Sequence, residues 1–424
     1  MINKVKTGKP VTLLYKVIIA VFNAVMLSGV FYTSYHLFHK LIFTKNYSDI
    51  YIHVKTVIDY NMKGYSLMTV LIKSLYSLTQ SKDSIAVMLA VAVVLTVFAV
   101  NYLMYVLFKL YGKEKWFSFW RFLPISATTV FISSIYVVKY YEHYYCDFVT
   151  STQPWHNTTY ILMRLFAVMA VAMYFLIEST YLKKINFGYA VVFTVSLLFA
   201  NSVKPNFIIS FAPIMLLFMI IDFIKQKGKC LKNSIAFGIC VLISLTVLFY
   251  QYKILYTADD DSQIIFSLDL LRQFFKTSLL ALLCDLAFPL FSTFLLLFKD
   301  RSKSEKSILT KVWLMYILSF FTFLVLKETG MRENDGNFAW GMYFFSFLLN
   351  IVCLTQWISN YKSSKSEERF VYLIGILAYS ASVVSGFSCF VILNIKYNKN
   401  ILCNLKYIFK NEEYYEKISH HRCK

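Results

Sequence analysis

An aspartate and a histidine four residues apart, Asp49 and His53 in NYSDIYIHVK, follow directly on the first long apolar run of the chain. On a helix, residues i and i+4 share one face, so the carboxylate and the imidazole would point the same way. Such a pair suits general-base chemistry. The carboxylate would take a proton from an attacking hydroxyl while the imidazole orients it or holds a substrate hydroxyl. The bland alternative is a juxtamembrane helix that shows its polar face to water. Lys204, in NSVKPNF, sits where one apolar run ends and another begins with barely room to turn. Pro205 enforces the break, and Asn201 and Asn206 flank it. A lysine at that depth either snorkels to lipid headgroups or offers a point charge to a phosphate arriving from the lipid phase. The head of a polyprenyl phosphate or diphosphate would lie there.

A third stretch, KETGMRENDGNFAWG, packs Lys327, Glu328, Arg332, Glu333 and Asp335 ahead of Asn337 and Trp340. Arg332 has the fork for a phosphate, and Glu328 suits sugar hydroxyls or a pairing with Arg332. Trp340 suits stacking on a sugar ring or the aromatic belt of a membrane interface. Asn337 also reads as an ordinary helix N-cap, and the charges as a solvated loop. Arg164 stands inside an apolar run, YILMRLFAV, where an arginine costs about 2.5–3.5 kcal/mol on insertion scales. It must face protein, water or an anion, or snorkel outward. Glu178 and Asp222 lie near span ends and read as interfacial. The run Asp259 to Asp261 reads as a solvated loop rather than a cation site. No CxxC and no Cys/His zinc spacing occurs among the eight cysteines. Neither a P-loop nor a GxSxG elbow is present.

The elements that must position these residues are set by composition. The chain has 424 residues, 58% hydrophobic and 16% charged, with a mean hydropathy of +0.57. Its apolar residues fall into runs long enough to cross a hydrocarbon core as helix, and barrel-type alternation is absent. The fold class expected is therefore all-α, a polytopic transmembrane helix bundle of about 11 spans. These run roughly over 14–37, 85–108, 121–139, 158–178, 187–203, 207–224, 234–251, 278–298, 312–327, 338–358 and 370–394. Residues 1–395 would form the transmembrane domain, with an outer loop over 38–84. Residues 396–424 would form a tail amphipathic enough to lie in the membrane interface. The net charge of +20 falls in short basic connections, which set orientation rather than bind nucleic acid. Placing them in the cytoplasm puts the N-terminus inside and all three chemical stretches outside, as in a multi-pass plasma-membrane protein.

SDIYIHV, ANSVKPNFIISFAP and ETGMRENDGNFAWGMYFF together resemble the GT-C superfamily, the membrane-embedded glycosyltransferases that use lipid-linked sugars. The resemblance implies an inverting sugar transfer from a polyprenyl-phosphate-linked donor to a glycan or lipid-linked acceptor. Asp49 would be the base, with His53, Lys204, Asn206, Glu328, Arg332, Asn337 and Trp340 around the substrates. Lys204 and Arg332 would hold the phosphate and stabilise its growing charge. Some relatives carry a second acidic residue beside the first, often for a divalent metal; here Ser48 stands before Asp49. The rival expectations are a transporter or flippase of lipid-linked saccharides and a scaffold in an envelope complex. A transporter would carry polar residues at mid-membrane and broken helices.

Overall fold

Backbone N–H and C=O groups in hydrocarbon must be satisfied within the chain, so long apolar runs become helices. The computed structural model describes residues 13–44, 48–59, 66–135, 155, 157–256, 263–272, 279–297, 301–329, 337–361 and 369–395. They form α1 (Leu13–Phe43), α2 (Asp49–Asp59), α3 (Leu67–Thr79), α4 (Asp83–Leu110), α5 (Phe119–Thr129), α6 (Thr158–Glu178) and α7 (Phe187–Val203). There follow α8 (Asn206–Lys225), α9 (Leu231–Tyr256), α10 (Leu279–Asp285), α11 (Ala287–Leu297), α12 (Lys303–Val325), α13 (Ala339–Tyr361) and α14 (Arg369–Ile395). Eight of them, α1, α4, α6, α8, α9, α12, α13 and α14, are long and apolar enough to cross a membrane. α13 is apolar on every side and buried over nearly all its length, as a helix at the centre of a bundle must be. It packs on α12, α11, α4 and α8, while α6 packs between α4 and α7.

Two of the eleven expected spans differ within the described residues. The run at 121–139 is helical only as far as Thr129. Pro124 supplies no N–H, and the Thr128 and Thr129 hydroxyls bond back to the carbonyls of Ile125 and Ser126. The chain then turns out of the helix, with Ser133 N–H donating to Ser382 O and Ile135 N–H to Cys284 O. Non-helical backbone is tolerated in a bundle where protein satisfies it in this way. The run at 278–298 is two helices interrupted at Leu286. Pro289 cannot donate to the carbonyl of Asp285 four residues back, so the ladder breaks there. The run at 187–203 is a helix over the residues expected, 17 long and shorter than the eight helices above. The expected outer loop 38–84 is itself largely helical: it holds the end of α1, all of α2 and α3, and the start of α4.

Two three-residue strands interrupt the helical plan. β1 (Ile264–Phe266) pairs antiparallel with β2 (Leu326–Glu328), with Ile264 opposite Glu328. This ribbon sits at the end of the bundle that carries the α6 N-terminus. The opposite end, one helix length away, holds a separate polar cluster. There Ser302 and Glu305 close a capping box at the start of α12. The Glu305 carboxylate, 1% exposed, also accepts from Lys113 at 2.9 Å. Asn360 reaches both partners. Nearby Lys311 pairs with Glu178, and the Tyr181 hydroxyl donates to Asp222. Burial, and then the Asp222 hydrogen bond, push the Tyr181 phenol up.

Candidate functional site at the α6 N-terminus

α6 begins at an N-cap, Asn157, whose Oδ1 accepts from Tyr160 N–H at 3.1 Å. An asparagine before an apolar run satisfies one of the orphan N–H groups of the first turn. The same side chain does a second job: its Nδ2 donates to Asp49 Oδ2 at 2.8 Å. Asp49 is the first residue of α2, where a carboxylate suits the helix dipole, and Ser48 accepts from Ile50 N–H behind it. Ile50, Val54 and Val57 form the buried face of α2 and set its roll. His53, one turn after Asp49, places Nδ1 2.7 Å from Thr158 Oγ1. The i, i+4 pair therefore docks on two consecutive residues of α6.

The next residue, Thr159, receives Lys204. Its hydroxyl accepts from Lys204 Nζ at 3.3 Å and donates to Asn157 Oδ1. Lys204 caps α7 in extended backbone and is 8% exposed. Its ammonium lies over the Trp340 ring, 4.8 Å from the centroid. A snorkelling lysine would reach the headgroups instead, so the span-end position is put to a different use here. Trp340 in turn packs against Tyr160 with centroids 5.1 Å apart. Both rings are buried, so Trp340 is part of the interior and not of an interfacial belt.

Asn206, the first residue of α8, donates from Nδ2 to the Asn337 carbonyl at 2.7 Å. Asn337 donates from its own amide to Glu328, which the β1–β2 ribbon holds in place. Gly341 allows this junction: a Cβ there would stand 2.9 Å from Asn206 O and 2.6 Å from Ser319 Oγ. Of the sequence-nominated residues, Asp49, His53, Lys204 and Trp340 thus come together at the start of α6, and Asn206, Asn337 and Glu328 form a hydrogen-bonded chain joined to them through the Lys204–Asn206 turn; the seven come from four separate segments. Arg332, with Glu333 and Asp335, lies outside the described residues, as do Asp259 to Asp261 and the tail 396–424.

The sequence reading did not single out Asn157, Thr158, Thr159 and Tyr160, which join the others. The signal was there: HNTTY before an apolar run has an N-cap asparagine with hydroxyls on the first turn. Arg164, two turns below Asn157, does not snorkel. It is 1% exposed and stands among Trp155, Tyr160 and Phe347, with its Cζ 5.1–5.9 Å from their ring centroids. Among the described residues, no three His, Cys, Asp or Glu side chains gather as a metal site would require.

The arrangement can hold a carboxylate still beside an imidazole, with a cation a few residues away on an aromatic face. That set of groups suits proton removal next to an anionic leaving group. No protein family, no curated protein and no solved structure matches this chain.

Proposed function

We propose that this chain is a membrane-embedded glycosyltransferase of the GT-C type. It transfers a sugar from a polyprenyl-phosphate-linked donor to an acceptor hydroxyl on the extracytoplasmic side. The single observation behind this reading is the convergence on one helical turn: Asn157 holds Asp49, Thr158 meets His53, and Thr159 meets Lys204.

In the proposed reaction the acceptor hydroxyl gives its proton to the Asp49 carboxylate as its oxygen bonds to the anomeric carbon. The bond from that carbon to the phosphate oxygen breaks, and its electron pair leaves with the polyprenyl phosphate. Lys204 stabilises the charge that grows on that phosphate, and Trp340 and Glu328 face the sugar. Asn157 acts as a positioning residue through Asp49. The test is Asp49→Asn in the purified protein, given a polyprenyl-phosphate sugar and membrane extract as acceptor. Transfer falls by about 100-fold or more, the low end of what a general base contributes, while insertion and thermal stability hold. Full transfer by this variant ends the proposal.

A second reading, transport or flipping of lipid-linked saccharides, draws on one specific observation. Asp285 lies at the helix break before Pro289, 4% exposed, and accepts from Ser134 at 2.7 Å and Ser346 at 3.1 Å. A carboxylate at a broken helix inside a bundle is a hallmark of transporters. Movement of a labelled lipid across proteoliposomes, lost in Asp285→Asn and retained in Asp49→Asn, selects this reading.

A further inference from the structure

The two spans that break off as helices are the two that meet. Ser134, in the non-helical chain after α5, donates from Oγ to Asp285 Oδ1 at 2.7 Å. The next residue, Ile135, donates its N–H to the Cys284 carbonyl. Asp285 is the last residue of α10, just ahead of the break that Pro289 enforces. From α13, Ser346 Oγ donates to the other carboxylate oxygen at 3.1 Å. α14 closes the junction: the Ser382 carbonyl accepts the Ser133 N–H, and Ser385 donates to the Ser134 carbonyl. Ser134, Asp285 and Ser346 are all buried. In membrane bundles, the ends of interrupted helices are where dehydrated cations bind. Hydroxyls, carboxylates and non-helical backbone there supply the oxygens that water would otherwise give.

Further oxygens lie around this junction. Asn350 stands one turn past Ser346 on α13, and its Nδ2 donates to the Ser346 carbonyl at 2.9 Å. Its Oδ1 is sealed from solvent and has no hydrogen-bond partner among the described residues. The Tyr316 hydroxyl on α12 is sealed and unpartnered in the same sense, and lies within electrostatic reach of Asp285. The Asn350 oxygen is an acceptor only, so a carboxylate does nothing for it; it calls for a donor or a cation. The polar face of α13 runs on through Cys353, Gln356 and Asn360, at three- and four-residue spacing and buried. Buried polar residues in a membrane bundle mark ion routes.

We infer that the Asp285 junction is a binding site for one monovalent metal cation, of the hardness and charge of Na+. Hard cations take oxygen ligands, and one carboxylate among neutral oxygens balances a single positive charge. The ligands are Asp285, the Ser134 and Ser346 hydroxyls and the Asn350 amide oxygen. Each serine can donate to the carboxylate and turn a lone pair to the ion at once. The ionisable groups around Asp285 are Cys284 beside it, Tyr316 on α12, and Tyr160 on α6, whose ring Arg164 adjoins. The inference is independent of the glycosyl-transfer reading and holds under either function.

The experiment measures uptake of radiolabelled Na+ by the purified full chain in nanodiscs, beside its melting temperature. Choline replaces Na+ at equal ionic strength, so that screening is the same. The wild type is expected to take up about one Na+ per chain and to melt higher in Na+ than in choline, as a ligand of the folded state alone requires. Asp285→Asn loses both effects. Ser346→Ala and Asn350→Leu, which keep the carboxylate, each weaken Na+ binding about tenfold, the worth of roughly one bond to a charge. No Na+ uptake by the wild type overturns the inference, as does uptake that survives in Asp285→Asn. Should Asp285→Asn not fold, the other two variants decide, and unchanged Na+ affinity in both overturns it. A melt that responds to pH and is the same in Na+ and choline makes Asp285 a proton site and overturns it as well. None of these outcomes bears on sugar transfer, which the Asp49→Asn assay tests separately.

Discussion

Asn157 joins the fold to the chemistry within a single side chain. Its oxygen caps α6 and its nitrogen holds Asp49. The two roles separate by substitution, because serine keeps a capping oxygen but has no amide to reach the carboxylate. Asn157→Ser is therefore expected to leave the melting temperature nearly unchanged while turnover falls by up to about 100-fold, the scale of a catalytic group misplaced by about 1 Å. Steady-state transfer beside thermal unfolding checks this. Asp49 and His53 were legible in the sequence because an i, i+4 polar pair stands out after an apolar run. Their partners were not, since Asn157 and Thr158 lie more than a hundred positions away and look like an ordinary cap and first turn. Arg164 was legible as an oddity, but its sealed fork and ring of aromatics belong to packing alone.

At the scale of elements, the site depends on how closely α13 approaches the start of α8. A Cβ on Gly341 would fall inside contact distance of the Asn206 carbonyl and the Ser319 hydroxyl, and the carbonyl cannot swing away. Gly341→Ala should cost about 1–3 kcal/mol, as overpacking does, and should weaken ligand binding by moving Trp340 off Lys204. A thermal melt and a binding isotherm on one preparation test both. Gly386 marks a tighter approach: its Cβ would meet the Phe131 carbonyl at 1.8 Å. There α14 lies against the non-helical chain after α5, with Ser385 donating to Ser134 O at 2.7 Å. Gly386→Ala should lower the yield of folded protein, read by size-exclusion monodispersity. Composition and run length located the eight long helices, since apolar stretches of that length have few alternatives in a membrane. They overstated two, because proline and side-chain back-bonding end a helix without changing the hydropathy.

Across the whole molecule, the site residues and the Glu305 cluster sit at opposite ends of the bundle. The cluster around Glu305 joins α12, α13 and the chain after α4 and, among the described residues, shares no hydrogen bond with the site residues at the far end. Removing Lys113 leaves a buried carboxylate without its cation, a change worth about 3–5 kcal/mol. Lys113→Met is thus expected to lower thermal stability by that amount while ligand affinity at the α6 end stays within about twofold, as distant sites act independently. A melt paired with a binding assay separates the two effects. An equal loss of affinity would show that the ends are coupled through α13.

The sequence by itself determined the class of this protein and the residue types available for chemistry. Runs of apolar residues forced helices, and charged or polar side chains stood out against them. Only the tertiary structure decided that Asp49, His53, Lys204, Asn206, Glu328, Asn337 and Trp340 belong together. The physical reason is distance in the chain. Their meeting point is a capped helix start, and hydrogen bonds between segments far apart in sequence leave no period or spacing to read. The same holds for Arg164: a sequence shows that an arginine stands in an apolar run at a cost, and only packing shows which edge of it has no hydrogen bond among the described residues.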